Sequence, residues 1–152
     1  MRAVSRSIIA ALTHLGAAAA LGACGTEPND RPFRAEYADV YEPPLVLSAT
    51  LTCDHTLTHV LLELGDEGFF ELSTNVQDDC TRAGGSFTGA EVYRTGMYTR
   101  LGATLSFTSD GSPAPEFSGR LEPNGIVLVF TPGLDSLESD VEVPVTRKQV
   151  SF

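Results

Sequence analysis

Residues 102–130 read GATLSFTSDGSPAPEFSGRLEPNGIVLVF. Apolar side chains recur at every second position: Leu105 and Phe107, then Phe117 with Leu121, then Ile126, Leu128 and Phe130. Thr104, Ser106 and Thr108 fill the alternate places. Successive strand residues point to opposite faces, so this period of two predicts half-buried strands, not helices. The breaks carry turn chemistry. Ser109–Pro115 is a Gly/Pro loop, and Glu122-Pro-Asn-Gly125 is a tight turn because Asn-Gly tolerates positive φ. Ile126–Phe130 is apolar on both faces, as a central strand is.

The same period extends upstream. Leu45–Cys53 sets Leu45, Leu47, Ala49, Leu51 and Cys53 against Ser48, Thr50 and Thr52. Thr58–Leu64 is a second apolar run. Gly65-Asp-Glu-Gly68 turns the chain into Phe69–Gln77, where Phe70, Leu72, Thr74 and Val76 alternate with polar neighbours. After Gly84-Gly85, a strand is predicted over Ser86–Arg94 with a bulge at Gly89. Thr95-Gly96 reads as a turn, and Met97–Leu101 pairs with Thr104–Thr108 around Gly102. Downstream, Thr131–Asp140 is an acidic loop with room for one helical turn. Val141, Val143 and Val145 close the series, with Pro144 marking an edge strand. About eight short strands in simple succession, with almost no helical pattern, predict an all-β domain: a small antiparallel up-and-down barrel, with a β-sandwich as the alternative.

Several of these residues carry a resemblance. Gly96-Met-Tyr98, Gly102-x-x-Leu105-x-Phe107, Phe117-x-Gly119-x-Leu121 and Ile126-x-Leu128-x-Phe130, with Gly68-Phe-Phe70 upstream, resemble the hairpin series of small lipocalin-like domains in bacterial lipoproteins. The likeness covers roughly residues 58–130 and implies a lipocalin-like barrel. The chain departs from the pattern in having no tryptophan, where many lipocalins carry a Gly-x-Trp near the first strand.

The N-terminus reads as an address. Arg2 and Arg6 precede an alanine-rich apolar run, Ser7–Ala20. That layout is a secretory signal, and the run falls short of the about 20 residues that span a bilayer. Leu21-Gly22-Ala23-Cys24 resembles the lipobox of bacterial lipoproteins. The resemblance implies cleavage before Cys24 and acylation of its sulfur and freed amine. Gly25, where an Asp would signal inner-membrane retention in the enteric system, implies the periplasmic face of the outer membrane. The other readings are an ordinary secretory signal with an incidental Cys24, or a buried N-terminal helix. The chain then divides into a signal peptide (1–23), a lipidated flexible tether (24–44) and one β-domain (45–152). The tether is assigned from its four prolines and mixed charges. Phe33, Tyr37 and Tyr41, four residues apart, offer a short helix as the competing reading.

All twenty acidic residues lie after residue 23, with eight of the ten basic ones, so the remainder is more acidic than the formal −10 of the whole chain. Such a chain is repelled by phosphate backbones, which argues against nucleic acid as a partner. With Cys24 lipidated, Cys53 and Cys80 remain, and in an oxidising envelope two such cysteines pair; free thiols or metal ligands are the alternative. The three-strand meander 45–77 brings the two cysteines to one rim, together with Asp54, His55, Asp78 and Asp79. Imidazole and carboxylates there could hold a cation, but a solvated acidic loop beside a disulfide is favoured. No nucleophile elbow, P-loop or dinucleotide fingerprint occurs. Gly84-Gly-Ser-Phe-Thr-Gly89 lacks the lysine that phosphate binding uses. No enzyme, cofactor or resident metal is expected. The expectation is a lipid-anchored, non-catalytic cell-envelope protein that binds a small apolar ligand or a partner protein. The alternative is a structural or adaptor lipoprotein with a packed core and no small-molecule site.

Overall fold

Eight antiparallel strands follow one another round a single sheet in chain order. They are β1 (Ala35–Ala49), β2 (Asp54–Leu64), β3 (Phe69–Asp79), β4 (Phe87–Leu101), β5 (Thr104–Ser109), β6 (Phe117–Glu122), β7 (Gly125–Phe130) and β8 (Val141–Thr146). This is a computed structural model that describes residues 30–131 and 140–149. The signal segment, Cys24 and positions 132–139 of the acidic loop lie outside the described residues.

The sheet curls until β8 meets β1, giving a nearly closed, lipocalin-like up-and-down barrel. The seam has one backbone bridge, Tyr37 with Arg147. Lys148 N–H donates to the Glu36 carbonyl at 2.9 Å. Side chains complete the rest: Thr146 N–H donates to Asp39 Oδ2 at 2.5 Å, and the Tyr41 hydroxyl donates to the Pro144 carbonyl at 2.6 Å. Pro144 therefore sits on the last strand of the sheet, at the seam, where no ladder bond is lost.

The alternation in the sequence is the inward row of the barrel. Leu57, Val60, Leu62, Phe70, Leu72, Leu105, Phe107, Phe117, Ile126, Leu128 and Val143 are all buried. Rings fill the centre. Phe107 and Phe117 stack with centroids 4.5 Å apart, and Phe70 meets both edge-on at 5.2 and 5.5 Å.

Three boundaries differ from the sequence reading. First, β1 begins at Ala35, so residues 35–44, assigned to the tether, are strand. Neither spacer nor helix holds there. Phe33, Tyr37 and Tyr41 lie four apart, and four is also twice the strand period. Second, β1 ends at Ala49 and not at Cys53. Residues 50–53 form a turn in which Thr50 Oγ1 accepts from Cys53 N–H at 2.9 Å, and Leu51 is left 97% exposed. Third, residues 87–101 are one strand, with neither a turn at Gly96 nor a bulge at Gly89; the β3–β4 register runs unbroken from Phe69–Met97 to Asp79–Phe87. The irregularities lie instead in β1–β2, between Val40 and Leu45 and between Val46 and Ser48, and in β2–β3, between Leu57 and His59.

Strand lengths shape the molecule. The strands β1–β4 have 15, 11, 11 and 15 residues, and β5–β8 have six each. The first half of the sheet therefore overshoots the second at one end.

Candidate functional site

The turns divide between two mouths. The chain enters β1 at the mouth bearing the β2–β3, β4–β5 and β6–β7 turns. The overshooting half of the sheet and the disulfide stand at the other.

At the far mouth, Cys53 and Cys80 are joined across the ends of β2 and β3, with Cα atoms 4.0 Å apart. Antiparallel pairing of Asp54 with Asp79 delivers them to this place. The neighbouring acids do not converge. Asp54 pairs with Arg82 of the short 3-10 turn Thr81–Ala83. Asp78 Oδ1 pairs with His55 Nδ1. Asp79 Oδ1 accepts from Thr81 N–H at 3.0 Å and from its hydroxyl at 2.6 Å. The Thr81 hydroxyl, with its N–H, holds the Asp79 carboxyl below the usual carboxylate range. Among the described residues no three His, Cys, Asp or Glu side chains come together to hold a metal ion. His55 faces inward with Asp78, whereas His59 pairs with the outward, exposed Asn75. The shift between Leu57 and His59 puts the two imidazoles on opposite faces, which no spacing rule reveals. His55 Nε2 is buried without a hydrogen-bond partner. His55, Val76, Asp78, Ala90 and Val92 line a cleft of about 210 Å³ on the inner face of the overshooting sheet.

The entry mouth is plugged from above and open at the side. Phe33 N–H donates to the Tyr98 hydroxyl at 2.7 Å, and that hydroxyl faces the carbonyls of Phe33 (2.7 Å) and Gly65 (3.0 Å). Burial pushes the Tyr98 phenol above its usual pKa. The Arg100 guanidinium lies 4.9 Å over the Phe33 ring. Beside this plug an open cleft of about 1130 Å³ is lined by Arg34, Leu64, Phe69, Phe70, Arg147 and Lys148, among others. The sequence reading missed this mouth because Arg34 lies 113 positions before the neighbouring pair Arg147 and Lys148, and they meet only through the seam.

Of the residues singled out in the sequence, the structure unites Cys53 with Cys80 and gathers Asp54, His55, Asp78 and Asp79 at one rim, each with its own partner. Phe70, Tyr98, Phe107, Phe117 and Phe130 fill the core, whereas Phe87 stands exposed on the outer face of β4. The chain matches no protein-family model, no curated protein and no solved structure.

Proposed function

We propose that this protein is a lipid-anchored, non-catalytic module of a bacterial cell envelope that works through the outside of its barrel, on a partner protein. The observation that carries this reading is the filled interior. Six aromatic rings occupy the axis, where a ligand-binding barrel keeps a chamber. A residue set for nucleophilic or acid–base chemistry is not part of the reading, since each carboxylate at the disulfide rim is taken up by a different neighbour. The anchor rests on the lipobox-like Leu21–Cys24 and on the basic and apolar segment before it.

The open cleft beside Arg34, Arg147 and Lys148 favours a second reading, binding of an anionic amphiphile at the entry mouth. The first of two experiments tests the anchor and the second separates the readings. Cells fed radiolabelled palmitate are expected to label the wild type but not Cys24→Ser; an unlabelled wild type removes the anchor. Titration of the purified protein with a long-chain fatty acid is expected to give no stoichiometric heat. Stoichiometric binding that is lost in Arg147→Glu replaces the partner reading with the second.

A further inference from the structure

We infer that the free edge of β4, residues 87–93, is a docking site for an extended, basic segment of a partner protein, which adds to the sheet as a fifth strand beside the overshooting four. This deepens the partner reading above and does not depend on the lipid anchor.

The pairing of β4 with β5 starts only at Gly96 opposite Ser109. Below that point β4 continues to Phe87, bonded to β3 alone. The backbone phase shows which groups are left. Tyr98 N–H donates toward β3, to the Gly68 carbonyl at 2.7 Å, and the Thr95 carbonyl accepts on the other side, from Asp110 N–H at 2.8 Å. In an antiparallel strand the N–H and C=O of one residue point the same way and alternate along the chain. Phe87, Gly89, Glu91 and Tyr93 therefore turn their N–H and C=O groups outward, with no strand beyond them among the described residues. Such a row is a template for strand addition. The other free edge is treated differently: β1 carries Pro43 and Pro44 where it leaves the seam, and proline blocks a ladder. In contrast, β4 carries no proline and no lysine over this stretch.

The flanking side chains describe the occupant. On the outer face Phe87 and Tyr93 stand 58% and 60% exposed, spaced to hold alternate side chains of an added strand. On the inner face lies the 210 Å³ cleft, large enough for one long side chain, with Asp78 and His55 in its wall. The surrounding charge is negative. Glu91 lies on the edge itself, and Asp110 and Glu116 lie in the loop beyond. Of the two cations near this edge, Arg82 is tied to Asp54, and Arg94, just past Tyr93, lies on the inner row opposite Leu72 with interactions of its own. A Lys or Arg entering the cleft meets Asp78, and a second basic side chain on the outer face meets Glu91. A second copy of this chain brings its own Glu91 and the same acidic surface, so charge opposes that pairing. The chain's own 132–139 segment is acidic as well, with Asp135 and Glu138.

The test uses the full chain with a synthetic peptide of alternating Lys and Val, and a Glu/Val peptide as control. Fluorescence anisotropy is expected to show saturable binding of the Lys/Val peptide only. Gly89→Pro, which removes an outward N–H where a Cβ has room (3.7 Å to the nearest atom), is expected to weaken binding at least about tenfold. Glu91→Lys, which keeps every backbone group, is expected to weaken it about threefold or more. Hydrogen exchange read residue by residue guards against a misfolded variant. In the wild type the amides of Gly89, Glu91 and Tyr93 are expected to exchange freely while those of Thr88, Ala90 and Val92 are protected, and the peptide is expected to close the first set. Equal binding by both peptides, no loss in either variant, or protection of Gly89, Glu91 and Tyr93 before any peptide is added overturns the proposal. An edge already covered because the chain is dimeric in solution does the same, without touching the palmitate result.

Discussion

Gly96 shows how much a single missing side chain can decide. It sits mid-strand, opposite both Phe70 and Ser109. A Cβ there lies 2.1 Å from the Thr108 carbonyl and 2.9 Å from the Phe70 ring, far inside contact distance. The glycine lets β4 and β5 approach while the Phe70 ring fills the axis. Gly96→Ala is expected to cost about 2–3 kcal/mol, the upper part of the about 1–3 kcal/mol range of an overpacked core, and a urea titration with an unchanged m-value checks it. The tyrosines give a second residue-scale expectation. Burial raises the phenols of Tyr37, Tyr41 and Tyr98 above their ordinary 10.0. A group whose folded pKa lies above its unfolded one adds stability that is complete below the unfolded value and is lost as pH rises through the folded one, because the unfolded chain releases its proton first. Unfolding is therefore expected to grow easier above about pH 10. Phenolate absorbance is expected to lag for these three until the far-UV signal collapses; three tyrosines ionising freely in the folded protein would contradict the buried positions.

Elements were legible wherever one face was apolar and the breaks were chemically marked. Phe69–Asp79, Thr104–Ser109 and Gly125–Phe130 follow directly from alternation and from Gly, Asn and Pro at their ends. The failures have physical causes. Residues 35–44 combine charges with two prolines, which locally look like spacer, yet Tyr37 and Ala38 are buried, with Tyr37 paired to Leu62 of β2 and bridged to Arg147, 25 and 110 positions away. Gly96 carries the composition of a turn but serves close packing, and nothing local distinguishes the two. The rim was legible only as a gathering, since which carboxylate takes Arg82, His55 or Thr81 depends on register. Deleting residues 35–44 tests the strand assignment. A spacer tolerates the loss; here removal of two-thirds of β1 is expected to abolish the cooperative unfolding transition seen by circular dichroism. The turn 50–53 belongs to the same element, clamped to the end of β3 by the disulfide. Closing a 27-residue separation stabilises by about 3–4 kcal/mol in the chain-entropy model. The double replacement of Cys53 and Cys80 by Ser is expected to lower the urea midpoint accordingly, and an unchanged midpoint would show that the clamp is idle.

At the scale of the whole molecule, the two mouths are unequal in what they offer. Asp30, the first described residue, accepts from Gly102 N–H through its carboxylate at 2.9 Å at the entry mouth. Between Cys24 and Asp30 lie five residues, a reach of roughly 20 Å even fully extended. With Cys24 acylated as proposed, the barrel stands on its entry mouth close to the headgroups. That end also exposes Phe69 and Leu101, apolar side chains suited to an interface. The strand β4 runs from Leu101 at this end to Phe87 at the other, 14 steps of about 3.3 Å, so the free edge at residues 87–93 lies roughly 26 to 45 Å along the strand from Leu101. If the anchor and the docking edge are both as proposed, the length of β4 places them at opposite ends of the molecule. Single cysteines at Leu101 and Leu51, labelled with a fluorophore on the acylated protein in vesicles, test it. A headgroup-borne quencher is expected to dim the label at position 101 strongly and the label at 51 little. Equal quenching at the two positions would mean that the barrel lies on its side or swings freely, and the β4 edge would then have no preferred direction toward a partner.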